Sequence, residues 1–295
     1  MKLALGTVQL GLPYGIANRS GQPDEAQAQA IVQTAWDQGL RHFDTAQAYG
    51  DSERVLGRCL ERLGLDSRAR VISKLDPSIS SQDVGEIRCR VEDSLRHLGV
   101  PSLWAFLLHR EQLLSDWDGP LGETLEALRD EGKIERLGVS VYGEEAALQA
   151  LGSPQIDVVQ VAANVFDRRF HRAGFFARAA EAGKQVFVRS VYLQGLALMA
   201  PQDVPRHLAM ARPAVARFSE FCGEHGVDRR TFCYAYTQNK APQAWALIGA
   251  ETSTQCEESC RLARLESPVD PGLWDDAWPD DDPRWIDPSR WESFR

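Results

Sequence analysis

A repeated unit constrains this chain more than any other feature. A short apolar run, a turn and an amphipathic helix recur from residue 3 to about residue 265. The run Leu103 to His109, LWAFLLH, is almost continuously apolar, as a strand covered on both faces requires. Ala28, Ile31, Val32, Ala35 and Trp36 fall at i, i+3, i+4, i+7 and i+8, one face of a helix. Pro23, Asp24 and Glu25 open that helix and Gly39 stops it. The same alternation predicts strands over 3–8, 41–44, 70–74, 103–109, 137–140, 158–161, 186–190 and 245–248. Eight strands alternating with helices over about 250 residues match an α/β chain closed into a (β/α)8 TIM barrel. An open doubly wound sheet is the alternative, and it expects GxGxxG after the first strand, where the chain reads LALGTVQLG. The reading is therefore a barrel over residues 1–265, with an extended helical region at about 200–240 holding two helices. The acidic tail, 266–295, carries Trp274, Trp278, Trp285 and Trp291, more aromatic surface than a disordered segment bears, and is expected to pack on the barrel.

The balance of charge narrows the partners. A net charge of -9 with no basic cluster argues against nucleic acid. No run approaches the ~18 apolar residues of a membrane span. The opening MKLALGTVQLGLPYG is too short and interrupted for a signal peptide. The six cysteines form no CxxC and no zinc spacing, so thiols in a reducing cytoplasm are expected and no metal site.

In a β/α barrel the chemistry sits where strands end. Asp44, Lys74 and His109 end the second, third and fourth predicted strands, and Tyr49 follows in the loop after the second. Singly, each has a plain structural role: a loop cap, a solvated strand end, a satisfied core histidine, a wedge. Together, in a barrel, they converge on one pocket. A cation beside a phenol lowers its pKa from about 10. Lys74 would acidify Tyr49, Asp44 would hold Lys74, and His109 would orient the incoming oxygen or share its proton. That set suits an oxygen gaining negative charge, as in carbonyl reduction, with the hydride supplied by a cofactor.

DTAQAYG with Asp44 and Tyr49, ISKL with Lys74 and LLHR with His109 resemble the Asp-Tyr-Lys-His tetrad of the aldo-keto reductase family, in order and spacing. GKIERLGVSVY, VVQVAANVFDRR with Gln160 and Asn164, and ALIGAETSTQCEES extend the resemblance from residue 3 to about 265. It implies NADPH or NADH as cofactor, NADPH being the commoner in the family, and a small carbonyl substrate. It implies a cofactor site of Gly6, Thr7, Asp44, Ser140, Gln160, Arg189, Ser190, Leu193, Gly195, Gly249, Thr252, Gln255 and Glu258. Ser140 and Gln160 would hold the carboxamide, and the segments after Arg189 and Gly249 would wrap the pyrophosphate and adenosine. Arg189 replaces a frequent tyrosine, and Val141 a frequent asparagine. Glu251 near the closing segment opposes a 2′-phosphate, while Arg261 or Arg264 would favour one. Tyr14, Tyr49, His109 and Tyr142 are the expected substrate contacts, with Trp104, Phe166 and Tyr192 as further lining candidates. GTVQLGLPYGIAN and RSVYLQGL resemble a branch associated with sugars. The resemblance implies a monomer or weak homo-oligomer. Two other readings remain: a cofactor-binding regulatory barrel that serves as a partner-binding subunit, and a barrel lyase or isomerase, for which Gly195 and Gly249 are too few phosphate-binding glycines.

Overall fold

Eight parallel strands close on themselves in sequence order: β1 (Lys2–Gly6), β2 (His42–Asp44), β3 (Arg70–Lys74), β4 (Ala105–Leu108), β5 (Leu137–Val141), β6 (Val158–Ala162), β7 (Gln185–Arg189) and β8 (Trp245–Gly249). The register β1–β8 pairs Gly6 with Gly249 and so completes the ring. This is a computed structural model of the chain, described over residues 1–278 and 283–294; residues 279–282 and 295, part of the 266–295 tail, lie outside the described residues. The expected (β/α)8 barrel is the observed fold.

Side chains alternate across each strand, which sorts the sequence into two layers. Phe43, Val71, Phe106, Val139, Val159 and Val188 join the helices in the large outer core. Ala4, Ile72, Leu107, Val158 and Phe187 form a second cluster that fills the barrel itself. The helices around it begin where their sequences supply an oxygen. Asp24 accepts from the Gln27 amide in a reciprocal capping box, and Asp83, Asp228 and Thr252 cap the helices Val84–Leu98, Arg229–Lys240 and Ser253–Leu262. The region 200–240 holds the helices Arg212–Glu224 and Arg229–Lys240. Among the described residues, no helix is long and apolar enough to cross a membrane.

Three strands end earlier than the sequence reading, for local reasons. Thr7 leaves β1 because its amide and hydroxyl both turn to the Asp44 carbonyl, and Val8–Gly11 then forms one helical turn. His109 lies one residue past β4. Ser190 falls outside β7 with φ 64°, as the chain turns sharply into the next segment.

Beyond the barrel, Trp274 is fully buried and its indole N–H donates to the Val165 carbonyl at 2.6 Å. It packs edge-on to Phe166, Phe218 and Phe221. Asp275 accepts from Tyr236 and Lys240 on the helix Arg229–Lys240. Trp285 and Trp291 are buried too.

Candidate active site

Asp44 and Lys74 both point into the barrel, at the last positions of adjacent strands. The Lys74 ammonium donates to Asp44 Oδ1 at 2.9 Å, to Oδ2 at 2.8 Å and to the Thr45 carbonyl at 2.7 Å. Lys74 has no exposed surface and Asp44 is 3% exposed. Gln160, one of the inward positions of β6, donates its amide to Asp44 Oδ1 at 2.8 Å. A buried ion pair persists only when its remaining hydrogen-bonding capacity is met, and here it is.

Tyr49 reaches the same space from the loop after β2. Its ring centroid lies 4.9 Å from Lys74 Nζ and 5.8 Å from the His109 ring, edge to face. Three buried hydroxyls brace this loop. Thr7 Oγ1 lies 2.8 Å from Ser52 Oγ, Thr45 donates to Ser52 at 2.9 Å, and Ser52 donates to the Thr7 carbonyl. Gly11 packs beneath it so closely that a Cβ would stand 1.9 Å from the Tyr49 carbonyl oxygen. Only glycine lets the two backbones approach in this way.

The electrostatics correct one expectation. Tyr49 is not acidified: burial pushes its phenol well above the ordinary range, and the Asp44 carboxylate pushes the same way against an opposing pull from Arg189. The lysine spends its donors on Asp44 and Thr45, so it does little for the phenol. Lys74 is itself lowered, by burial first, with Asp44 opposing. His109 is lowered to about 3 by burial, then by Lys74 and Arg189. It is therefore neutral near pH 7 and orients a partner without carrying charge. Its Nδ1 is buried with no partner.

Arg189, inward at the end of β7, completes the mouth. It donates to the Val141 carbonyl at 3.1 Å, and its guanidinium carbon lies 3.9 Å from the Tyr142 ring. The fields of Tyr49, Tyr142 and Arg189 all reach Tyr14, whose phenol is also raised, chiefly by burial. Tyr14, Tyr49, His109 and Tyr142 thus share one space. Trp104, Phe166 and Tyr192 do not join them. Trp104 stands at the opposite end of the barrel against His42, Phe166 packs on Trp274, and Tyr192 packs on Tyr234.

The other expected cofactor contacts divide. Among the described residues, Ser140 makes no side-chain hydrogen bond and the Gln160 amide oxygen is uncommitted, so both stand ready at the mouth. After Gly249, Thr252 caps the helix Ser253–Leu262 by accepting from Gln255, whose own oxygen takes the Glu251 amide. The first-turn amides of Ser253 and Thr254 have no acceptor within the helix, a cradle suited to phosphate. Gly6, Ser190 and Gly195 keep partly exposed backbone, with φ 64° at Ser190 and 92° at Gly195. Thr7 and Leu193 have no exposed surface, so their side chains brace the site and touch nothing outside it. Glu258 is paired with Arg230, and Arg264 donates to Gln38, the residue that caps the helix Glu25–Asp37.

Sequence reasoning missed three residues. Glu111 accepts the Tyr142 and Gly143 amides at 2.6 and 2.9 Å and sets the loop that carries Tyr142. Arg230 is a cation beside the closing helix. Gly11 lies inside the quoted GTVQLG stretch, but its contact is tertiary.

A closed barrel with a buried acid–lysine pair, a phenol and a neutral histidine at its mouth belongs to the aldo/keto oxidoreductases. The model of the Aldo/keto reductase family matches residues 2–269, and the chain belongs to that family. The family generally uses nicotinamide cofactors. The chain is similar to D-threo-aldose 1-dehydrogenase of a Pseudomonas species, 24% identical, with 92% of this chain and 94% of that protein aligned. It is also similar to 6-dehydroglucose reductase of Novosphingobium aromaticivorans, 25% identical over 81% of each. The solved structure of glycerol dehydrogenase from Gluconobacter oxydans superposes with a TM-score of 0.73 at 24% identity, covering 97% of this chain and 94% of that one.

Proposed function

We propose that this protein reduces an aldehyde or ketone derived from a sugar to the alcohol, with Tyr49 as the proton donor. The observation that carries the reading is the position of the Tyr49 phenol, between the neutral His109 ring and the sealed Lys74–Asp44 pair, in a space shared with Tyr14 and Tyr142. The uncommitted polar groups of Ser140 and Gln160 and the open amides of the Ser253–Leu262 helix fit NADPH or NADH, which supplies the hydride. Everything else falls to the chain. The imidazole N–H of His109 donates to the carbonyl oxygen and places it against Tyr49. The phenol then gives its proton as the oxygen gains charge. A phenol held above its ordinary pKa never lacks its proton at neutral pH. Lys74 and Asp44 lock together the strand ends beside Tyr49, and the Asp44 carboxylate helps to keep the phenol protonated. The sugar reading draws on the two relatives named above and on the polar, ring-lined mouth.

Tyr49→Phe tests the assignment. Turnover of a carbonyl panel with either dinucleotide is expected to fall by ~10²–10⁴-fold, while cofactor affinity, followed by tryptophan quenching, stays the same. Normal turnover in that variant would remove Tyr49 from its role.

A further inference from the structure

The end of the barrel opposite the mouth contains a cavity of about 330 Å³ that the proposed reaction does not use. That size is near the lower bound of about 300–1,000 Å³ for small-molecule sites. Its wall carries Arg68, Arg70 and Arg136 against Asp66 and Glu135, in a protein whose overall charge is -9. Lys2 adds a fourth cation, 4.4 Å above the Trp245 ring. Glu135 is already paired with Arg136 at 3.0 Å. Arg70 makes no side-chain hydrogen bond or ion pair with any described residue. Trp104 and Trp245 form the floor, with the Arg136 guanidinium 4.7 Å from the Trp104 ring. Two orphaned polar atoms lie close by. The amide oxygen of Gln185, in the cavity wall, is buried without a partner. So is Nε2 of His42, whose ring is 3% exposed and wedged against Trp104, Phe187 and Trp245.

We propose that this end of the barrel is a second binding site, for a small oxyanion held by Arg70 and Arg136 over the Trp104–Trp245 floor. The guanidinium groups meet an anion with paired N–H donors, the geometry that phosphate and carboxylate oxygens accept best. A bare halide has no pair of oxygens to match that fork. A phosphate and a hydroxycarboxylate share this chemistry, and direct titration separates them.

The experiment is calorimetric titration of the full chain with inorganic phosphate and, separately, with citrate, at matched ionic strength, with and without saturating NADPH. One saturable site is expected, indifferent to NADPH. Arg70→Ala should weaken it by about tenfold, one charge-assisted contact being worth on the order of 1.4 kcal/mol, and Arg70→Glu should abolish it. Arg70 is exposed and far from the mouth, so both variants should fold, as circular dichroism will show, and should retain turnover. Tighter binding of citrate or of phosphate identifies the anion class. Three results overturn the proposal: no saturable heat with either ion, an isotherm unmoved by both Arg70 substitutions, or an ion displaced by NADPH, which would place it in the cofactor site.

Discussion

His42 and Asp44 sit two residues apart on β2, both facing into the barrel, and they deal with burial in opposite ways. Asp44 is surrounded by donors: Lys74 twice over and the Gln160 amide. His42 has only rings for neighbours, so it loses its charge. Burial, with Arg70 and Arg136 nearby, lowers it to about 4. One end of the barrel interior is thus a sealed ionic knot and the other an aromatic plug. Their sequences do not announce the difference, since a histidine and an aspartate at alternate positions of a short strand look alike. What separates them is which inward residues the neighbouring strands supply: Lys74 and Gln160 at the mouth, Trp104, Phe187 and Trp245 at the foot.

The contrast can be broken first at the mouth. Lys74→Met leaves Asp44 buried without its counter-ion and is expected to cost about 3–5 kcal/mol, read from the shift in denaturation midpoint, along with most of the turnover. A small loss would mean that the knot is not sealed as described. Next in size, Gly11→Ala drives a methyl into the Tyr49 carbonyl. Overpacking of this kind costs about 1–3 kcal/mol, and kcat should fall more than cofactor affinity, because the loop that moves carries the proton donor. At the foot the test is pH. His42 titrates near 6.5 when unfolded and about 4 when folded, so the unfolded state takes up the proton first. Its contribution to stability is complete above pH 6.5 and is lost, at about 1.4 kcal/mol per pH unit, as pH falls toward 4. His109 adds a loss of the same sign down to about 3. His42→Leu should therefore flatten the decline in stability between pH 6.5 and 4, measured by urea titration at several pH values. The same decline in both proteins would show that His42 is not held neutral. The smallest effect expected is on the reductive rate. With Tyr49 raised well above its ordinary value, reduction should be nearly level from pH 6 to 9. Alcohol oxidation, which needs the phenolate as base, should climb across the same interval. A reductive rate that fell in step with that climb would mean a phenol more acidic than an ordinary tyrosine.

Much of this was legible in the chain itself. A strand such as LWAFLLH buries both faces, and that pattern leads directly to a barrel. Asp44, Lys74 and His109 could be placed together because each falls at or beside a strand end, and strand ends share a face of the barrel. Three things were not legible. The direction of the Tyr49 shift depends on how many acceptors Lys74 finds, and the Thr45 carbonyl cannot be read as one from sequence. Trp104 looked like a pocket residue, but it precedes β4 where His109 follows it, so the two stand at opposite ends of the same strand. Thr7 and Leu193 matched cofactor positions by resemblance, yet both are sealed by packing that only the folded chain reveals.

The tail's anchoring bears on how the protein is made. Trp274, Trp285 and Trp291 are core residues that follow the eighth strand, and Trp274 is tied by its indole to a carbonyl some hundred residues earlier. Chains emerge from the ribosome amino end first and begin to fold as they do so. Here the aromatic cluster around Phe166 and Phe218 must wait, open to water, until Trp274 and Trp285 have been made. A newly made molecule therefore passes through an interval in which the barrel is formed but part of its hydrophobic surface is exposed. A stop codon ahead of Trp274 should accordingly yield protein that aggregates or is degraded.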